Sequence, residues 1–353
     1  MRIGVIGAGL AGALLAWRLA QAEIEVVLVP GAAGAADASA VSGGSVRAFE
    51  VDPAQFELAL ASMAELAADR RLAEWAGFVR CGSDYLPTAT AGLAEAAARI
   101  NAALPGSAEV LAAAELARDG WAGVASGTLA VRERLAGYVD PDQFRRRVLT
   151  DLGQRAATVL PAAPATEISD GSFTVLGRRY ECDRLVLATG GWTPRLLAEA
   201  GFDPGGLRTK RIQYTLHRAS GVPAGTFVDE HTELFGRPTA DGILLGLPTQ
   251  DWDVVPGATG PDVELSRQAA ERIGPRRPDL QLGAVLRIAS AVDCYAPDSL
   301  LRLRLVPSAE RLLSFTGGSG GSVKTALAAS ARAAAQLSRS SQPEPQHELE
   351  RSA

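Results

Sequence analysis

The chain has 353 residues, of which 47% are hydrophobic and 21% are charged, and its formal net charge is −5 at pH 7. This length favours two domains that share one ligand, and the mildly acidic balance excludes a nucleic-acid binder that depends on a basic surface. No apolar stretch is long enough to cross a bilayer and no secretory signal is recognisable, so the sequence predicts a cytoplasmic protein without nucleic-acid or membrane partners.

The start of the chain predicts a strand, a glycine turn, a helix and a second strand. The strands are the apolar segments Arg2–Ile6 and Glu25–Val29, and an Ala/Leu-rich stretch lies between them. This order begins a parallel sheet in a Rossmann-type βαβ unit, so we expect a fold of the α/β class.

The turn after the first strand has the dinucleotide-binding spacing Gly-x-Gly-x-x-Gly. Gly7 allows a tight turn, Gly9 lets the backbone approach a pyrophosphate, and Gly12 lets the helix pack closely on the strand. The helix N-terminus, at Leu10 and Ala11, offers free N–H groups to the phosphates. The motif predicts a bound dinucleotide, but it does not separate FAD from NAD.

The second strand lacks the acidic residue that usually ends it. An Asp or Glu there accepts hydrogen bonds from the adenosine ribose, but Val29 is followed by Pro30 and Gly31. The nearest acid, Asp37, lies too far along the chain to take that place by sequence position. The sequence therefore predicts a weaker grip on the ribose.

Further along, apolar residues spaced by three and four predict helices at Pro53–Ala68 and over most of 91–117. A β-rich part follows, with a last strand, a glycine turn and an Ala-rich helix near the C-terminus, and the polar tail 339–353 is expected to be disordered. The strands and the final helix are expected around 173–175, 184–188, 211–217, 242–247, 311–315 and 324–337.

Four further segments carry short motifs. They are the small-residue loop 38–47, the connector Gly-Tyr-Val-Asp-Pro at 137–141, the strand and Ala-Thr-Gly-Gly-Trp turn at 183–192, and Phe-Thr-Gly-Gly-Ser-Gly-Gly-Ser-Val-Lys at 315–324. In this order they resemble the D-amino-acid oxidase superfamily, most closely its glycine oxidase and monomeric sarcosine oxidase branch. The resemblance implies a Rossmann-type FAD-binding domain (GR2-like flavoprotein fold) and a second, β-rich α+β substrate domain.

The resemblance implies domain bounds and a cofactor. The FAD-binding domain would comprise 1–80, 137–208 and 296–338, and the substrate domain 81–136 and 209–295. FAD would be held without a covalent bond. Besides the first glycine turn, the residues expected to bind it are Ser39, Ser42, Gly43, Gly44, Thr189, Gly190, Gly191, Trp192, Gly318, Ser319, Gly320, Gly321 and Lys324.

The three cysteines, Cys81, Cys182 and Cys294, show neither disulfide nor zinc spacing. Some members of the superfamily tether flavin through a cysteine, and Cys294 lies near that region. A tether at Cys294 is the less favoured alternative to non-covalent FAD, and a core cysteine is the simpler interpretation.

The resemblance also implies substrate contacts. Arg47 and Lys324 would bind a substrate carboxylate, a task suited to a guanidinium fork and an ammonium; a solvated surface arginine is the alternative for Arg47. Phe235 stands where sarcosine oxidases place a tyrosine over the flavin, and Arg237 follows it. Leu244 replaces the lysine that activates oxygen. Arg47, Lys324 and Phe235 are the expected catalytic residues, and these three, with Arg237 and Leu244, are expected to contact the substrate.

Together these features predict oxidation of the C–N bond of an amino-acid-like substrate, with hydride transfer to flavin N5 and reoxidation by O2. Three alternatives remain: an FAD-dependent dehydrogenase or biosynthetic tailoring enzyme with another acceptor, which Leu244 favours; an NAD(P)-dependent reductase; and a degenerate binding protein without flavin, which Pro30 favours. The sequence does not indicate the oligomeric state.

Overall fold

The computed structural model describes residues 1–32, 37–258 and 260–339. Its helices are α1 (Leu10–Gln21), α2 (Pro53–Ala68), α3 (Arg70–Trp75), α4 (Leu93–Ala103), α5 (Ala113–Arg118), α6 (Pro141–Leu152), α7 (Thr193–Glu199), α8 (Val263–Ile273) and α9 (Ser322–Arg339). Short 3-10 helices lie at Gly190–Trp192 and Ser319–Gly321.

The strands that the structure describes are arranged in four sheets. In chain order they are β1 (Arg2–Ile6), β2 (Glu25–Val29), β3 (Ser45–Val46), β4 (Val79–Arg80), β5 (Ser83–Leu86), β6 (Ala108–Ala112), β7 (Leu129–Glu133), β8 (Gly137–Tyr138), β9 (Ala157–Val159), β10 (Ala165–Ser169), β11 (Ser172–Val175), β12 (Arg178–Glu181), β13 (Arg184–Leu187), β14 (Arg208–Ser220), β15 (Thr226–Asp229), β16 (Leu234–Thr239), β17 (Gly242–Gly246), β18 (Gln281–Tyr295), β19 (Arg302–Leu305) and β20 (Leu312–Thr316).

The first sheet has the order β19-β20-β13-β1-β2-β9 among the described residues. Its strands are parallel except for β19, which runs antiparallel to β20. Strands β1 and β2 are buried along nearly their whole length, as expected for a parallel sheet covered on both faces. This sheet confirms the predicted βαβ start and the α/β class.

Two layers cover the faces of this sheet. Helices α1, α2, α6 and α9 pack together, and residues of α1 and α9 share a core cluster with Ile3 and Val5 of β1. On the other face, Ile6 and Val29 share a second cluster with Phe173 of the small sheet β10-β11-β12. The packing leaves the carboxyl ends of β1, β2, β13 and β20 at one edge, where α1 and α9 begin.

The second large sheet has the order β18-β14-β17-β16-β15-β5-β7-β6 among the described residues. Its strands come from 81–136 and 209–295, apart from the first residue of β14. The strands of the first sheet come from the segments expected to form an FAD-binding domain. The division of the chain into two domains stays a prediction.

The helix expected over most of 91–117 is interrupted, so this prediction is wrong in its middle. Helix α4 ends before Pro105 and Gly106, and Gly106 has φ +71. Strand β6 then pairs with β7, and the Asn101 side chain bonds both backbone groups of Ala108. Pairing with a neighbouring strand outweighs the helix propensity of an alanine-rich segment.

The other elements lie close to their predicted positions. Helix α2 has the predicted bounds because Asp52 caps it, accepting a hydrogen bond from the Gln55 N–H at 2.8 Å, and Pro53 occupies the first turn. The tail expected to be disordered begins at Arg339, which ends α9; residues 340–353 lie outside the described part of the chain. Among the described residues, no helix has both the length and the apolar character needed to span a membrane.

Candidate cofactor and substrate site

A groove runs along the carboxyl ends of β1, β2, β13 and β20. In open α/β sheets, ligands bind at this edge. Its wall includes the residues that follow each of these four strands, namely Gly7, Pro30, Ala188 and Gly317. Residues of β14 and β18 close it from the side of the second sheet.

The first glycine turn brings the backbone unusually close to the neighbouring strand end. Gly7 has φ +107, and a Cβ there would lie 2.4 Å from the carbonyl oxygen of Ala188. A Cβ on Gly12 would lie 2.0 Å from the carbonyl oxygen of Gly7. No larger residue fits at either position, so this turn requires glycine. The Leu10 N–H, at the start of α1, donates to Ser39 Oγ at 3.0 Å.

The residues expected to bind the cofactor divide into two groups. The groove wall contains Gly7, Gly9, Leu10, Ala11, Ser39, Ser42, Thr189, Gly190, Gly191, Trp192 and Gly320. Among the described residues, those that belong to the same turns and helices without lining the groove are Gly12, Gly43, Gly44, Gly318, Ser319, Gly321 and Lys324.

Asp37 reaches the groove although it is seven positions beyond Pro30 in the sequence. It lines the wall together with Pro30 and Gly31. Its carboxylate accepts the Ala40 N–H at 2.8 Å and pairs with Arg145 Nη1 at 2.7 Å. Its distance from Pro30 in the sequence therefore does not keep Asp37 out of the groove.

Both ends of the groove can be located from the strand order. Pro30 follows β2 and Gly317 follows β20, and these strands lie on opposite sides of the β1–β13 pair. Gly317 has φ +90, and a Cβ there would lie 2.7 Å from the Ala296 side chain. A Cβ on Gly318 would lie 2.6 Å from Ser322 Oγ. These glycines permit the tight turn from which α9 begins.

One face of the second sheet turns toward the loop 38–47. Directly paired residues share a face, which places Phe235, Arg237 and Leu244 together through the pairs Phe235–Gly246 and Arg237–Leu244. We call this the inner face. Arg237 Nε donates to the Gly43 carbonyl oxygen at 2.5 Å. Leu244 is 2% exposed, and its side chain is 3.7 Å from where a Gly43 Cβ would be.

The end of the Phe235 ring lies close to Gly246 on this face. A Cβ on Gly246 would come within 2.1 Å of the Phe235 ring. The Arg237 guanidinium stacks 4.1 Å from the Tyr138 ring centroid, and burial lowers the pKa of Arg237. The inner face thus presents an aromatic ring and a guanidinium beside the loop 38–47, which is expected to bind the cofactor.

The structure brings Arg47 and Lys324 together on one carboxylate. Arg47 Nη2 lies 2.6 Å, and Lys324 Nζ 2.8 Å, from Glu50 Oε1. Arg47 is 7% and Lys324 8% exposed, which excludes the alternative of a solvated surface arginine. The Arg47 guanidinium also stacks 4.7 Å from the Tyr85 ring centroid, and Tyr85 lies on the inner face through its pairing with Val228.

Burial and the neighbouring charges shift the pKa values of Glu50 and Lys324. Burial favours the neutral form of Glu50, but the charges of Arg47 and Lys324 outweigh it and hold the pKa of Glu50 below its usual value. Burial lowers the pKa of Lys324, and Glu50 offsets part of that effect. The cluster of two cations and one carboxylate has one net positive charge when all three groups are ionised.

Sequence reasoning missed Glu50 and its neighbour Glu133. Glu133 is 1% exposed and accepts the N–H groups of Ala48 at 2.9 Å and Phe49 at 2.7 Å. Burial raises the pKa of Glu133, although these two hydrogen bonds oppose the rise. Glu133 therefore fixes the backbone between Arg47 and Glu50. A sequence signal existed only for Glu50, an acid three positions after the candidate Arg47.

Asp293 and Cys294 lie on opposite faces of β18. Asp293 lines the groove, whereas Cys294 is 0% exposed and belongs to the core cluster beneath the first sheet. Burial raises the pKa of Cys294 to about 12, so its thiol stays protonated at neutral pH. Asp293 is a charged groove residue that sequence reasoning missed, and its sequence signal was a charge within a largely apolar strand.

Three solved structures are similar in fold over nearly the whole chain. L-proline dehydrogenase from P. horikoshii has a TM-score of 0.75 at 18% identity, covering 98% of this chain and 95% of its own. Iminodiacetate oxidase from Chelativorans sp. BNC1 has a TM-score of 0.74 at 18% identity, covering 98% of each chain. Glycine oxidase from Geobacillus kaustophilus has a TM-score of 0.71 at 19% identity, covering 97% and 96%.

No curated protein matches the sequence. A family model does: the one described as DAO, FAD dependent oxidoreductase, matches residues 2–337, a span that contains the glycine turn, the groove, the inner face and the Arg47–Glu50–Lys324 cluster. The chain belongs to the DAO family of FAD-dependent oxidoreductases.

Proposed function

We propose that this chain oxidises the C–N bond of an amino acid, or of a related secondary or cyclic amine carboxylate, to an imine. The observation that carries the proposal is that Arg47 and Lys324 converge on one carboxylate oxygen, Oε1 of Glu50. This cluster lies beside the inner face, which contacts the loop 38–47 at the groove. A site built to hold a carboxylate near the groove suits a small amino acid.

The residues present fit FAD. The pyrophosphate would lie on the glycine turn at Gly7 and Gly9, where the α1 N-terminus supplies N–H groups and a positive dipole end. Asp37, held by Arg145, would replace the missing acid beside the ribose. The ring would lie at the other end, near Gly317. We propose non-covalent binding, because the Cys294 thiol lies in the core.

When bound, FAD would supply a two-electron acceptor for the hydride on the carbon next to the substrate nitrogen. The protein contributes orientation and charge. Arg47 and Lys324 hold the substrate carboxylate, in competition with Glu50, and the net positive charge of the cluster favours one carboxylate. Phe235 offers an apolar wall for the substrate body and Arg237 fixes the loop at Gly43.

The substrates named for the similar structures agree in chemistry. Proline, iminodiacetate and glycine each carry an amine next to a carbon that bears a carboxylate. They differ in whether this amine is primary, secondary or within a ring. The proposal therefore commits to an amine carboxylate and leaves the nitrogen's substituents to be found by screening.

We propose O2 as the electron acceptor, in a cytoplasmic setting that suits three free cysteines. A dehydrogenase or tailoring enzyme that uses another acceptor is the second candidate. Leu244 favours it, because a buried apolar side chain lies against Gly43 where the sarcosine oxidase resemblance places a lysine. Leu244 itself carries no charge, so negatively charged products of oxygen reduction gain no stabilisation from the side chain at this position.

The test is an absorption spectrum of the purified chain before and after acid precipitation, followed by anaerobic additions of glycine, sarcosine, proline and iminodiacetate. We expect flavin bands that move to the supernatant, and bleaching by at least one amine carboxylate. Bands retained in the pellet would overturn non-covalent binding. A protein that stays colourless with added FAD would overturn the proposed function and favour a nicotinamide-dependent or non-enzymatic protein.

Hydrogen peroxide measured after re-aeration separates the two acceptors. Peroxide formed in proportion to substrate supports the oxidase. Bleaching without reoxidation in air, restored by an artificial electron acceptor, supports the second candidate.

A further inference from the structure

Asp293 is a carboxyl group at the wall of the groove. It lies on β18, directly opposite Lys210 of β14, and lines the groove with Ile212 of β14. Thr316, the last residue of β20, and Gly317, which follows it, line the same end. This end lies across the sheet from Pro30, so Asp293 faces the part of the groove where the proposed ring of FAD would lie.

Few interactions offset the free-energy cost of burying the Asp293 carboxyl group. Oδ1 accepts the Cys294 N–H at 2.8 Å; among the described residues, no ion pair reaches the carboxyl group. Lys210 is directly opposite, but its Nζ lies 4.7 Å from the Trp252 ring centroid and 5.6 Å from that of Tyr295. The ammonium is held by aromatic rings, and the carboxyl group is left facing the groove.

The other ionisable groups around Asp293 do not neutralise it. The Tyr295 hydroxyl accepts the Gly320 N–H at 3.2 Å. Asp253, in the loop beside Lys210, pairs with Arg208, and Lys324 of α9 pairs with Glu50. Burial raises the pKa of Asp293 to about 7, and the hydrogen bond from Cys294 only partly opposes it.

An uncharged, flat ring system that covers Asp293 would remove the remaining water from the carboxyl group. Removing water from a carboxylate is much more costly than removing it from the neutral acid. The protonated form can also donate a hydrogen bond, which the carboxylate cannot. The neutral acid is therefore the form compatible with an occupied groove.

We propose that Asp293 is a further cofactor-positioning residue, whose protonated carboxyl group faces the ring end of bound FAD and whose ionisation weakens FAD binding. This inference rests on the proposed function, since it requires FAD in the groove. The sign follows from linkage: binding favours the protonated form, so affinity is full below pH 7 and falls by up to about tenfold per pH unit above it.

The test uses the full chain, stripped of FAD and titrated with FAD at pH 6 and pH 8.5 by quenching of flavin fluorescence. We expect the affinity of the wild-type protein to fall by about tenfold or more between these values. Asp293→Asn, which is neutral at both, should show no such fall. Asp253→Asn is the matched control on the surface beside β14, and it should behave as wild type.

A second measurement needs no variant. Calorimetric titration with FAD at pH 7.5, in two buffers of different ionisation enthalpy, should show proton uptake on binding. FAD binding that is independent of pH and takes up no proton, or an Asp293→Asn variant that keeps the full pH dependence, would overturn the inference while leaving the proposed function standing. No FAD binding at either pH would overturn both.

Discussion

Lys324 Nζ lies 2.8 Å from Glu50 Oε1, and both side chains are about nine-tenths buried. The two residues come from opposite ends of the chain: Glu50 precedes α2, and Lys324 lies in the first turn of α9. Helices α2 and α9 pack against each other, so this packing also fixes the position of Lys324 relative to Glu50. A buried ion pair of this kind is costly to break from one side, because the remaining charge is left without a partner.

Glu50→Gln should destabilise the fold by about 3 kcal/mol, because it leaves Arg47 and Lys324 as neighbouring buried cations. Urea unfolding at pH 7 measures the change. The control is Glu74→Gln, which removes the exposed partner of Arg70 and should cost less than about 0.5 kcal/mol. Equal losses for the two variants would contradict the view that burial makes the Glu50 pair important.

Lys324→Gln should raise the KM for an amine carboxylate and lower kcat/KM by about 10- to 100-fold, since one charged hydrogen bond to the carboxylate is lost. Lys324 does not line the groove, so we expect the FAD content to be unchanged. Steady-state kinetics and the flavin spectrum check both points. The control is Arg134→Gln, an exposed partner of Glu109. Unaltered kinetics in Lys324→Gln would remove this residue from the site.

Much of the fold could be predicted because its signals are local. The glycine turn at Gly7 is set by spacing and by a strand end that leaves no room for a Cβ, and α2 is set by its cap. Strand β6 could not be predicted, because it exists through pairing with β7, a contact that no local pattern encodes.

In the site, too, some residues could be predicted from the sequence, whereas others depend on how distant parts of the chain pack together. Arg47 and Lys324 were found through resemblance, but their shared partner was not, because Glu50 is defined by where α9 packs. Asp293 was missed for a related reason. Its alternation with Cys294 on β18 says that the two side chains point to opposite faces, but only the assembled sheets tell which face borders the groove.

Asp37→Asn should weaken FAD binding by about 10- to 100-fold, if Asp37 takes the place of the acid missing after β2, since a charge-assisted hydrogen bond is worth about 1.5–3 kcal/mol. Fluorescence titration of the flavin-free chain gives the affinity. Glu199→Gln, which removes an exposed partner of Arg195, is the control. An affinity equal to wild type would mean that the ribose is held by backbone groups near Gly31.

Leu244→Lys should increase the rate of flavin reoxidation by O2, provided that the wild-type chain reacts slowly with O2. The new ammonium would lie on the inner face against Gly43, in a buried position that strengthens its effect on developing negative charge. Burial would also lower the pKa of the new lysine, so the gain should be largest at lower pH and decline as pH rises. Stopped-flow mixing of the anaerobically reduced protein with aerated buffer measures this rate, and a tenfold increase is about the size expected for one added charge.

Leu244→Met, which keeps the volume without the charge, is the matched control and should leave the reoxidation rate unchanged. Equal rates in both variants would mean that the residue at position 244 does not govern the reaction with oxygen, and that the choice of acceptor is made elsewhere around the ring.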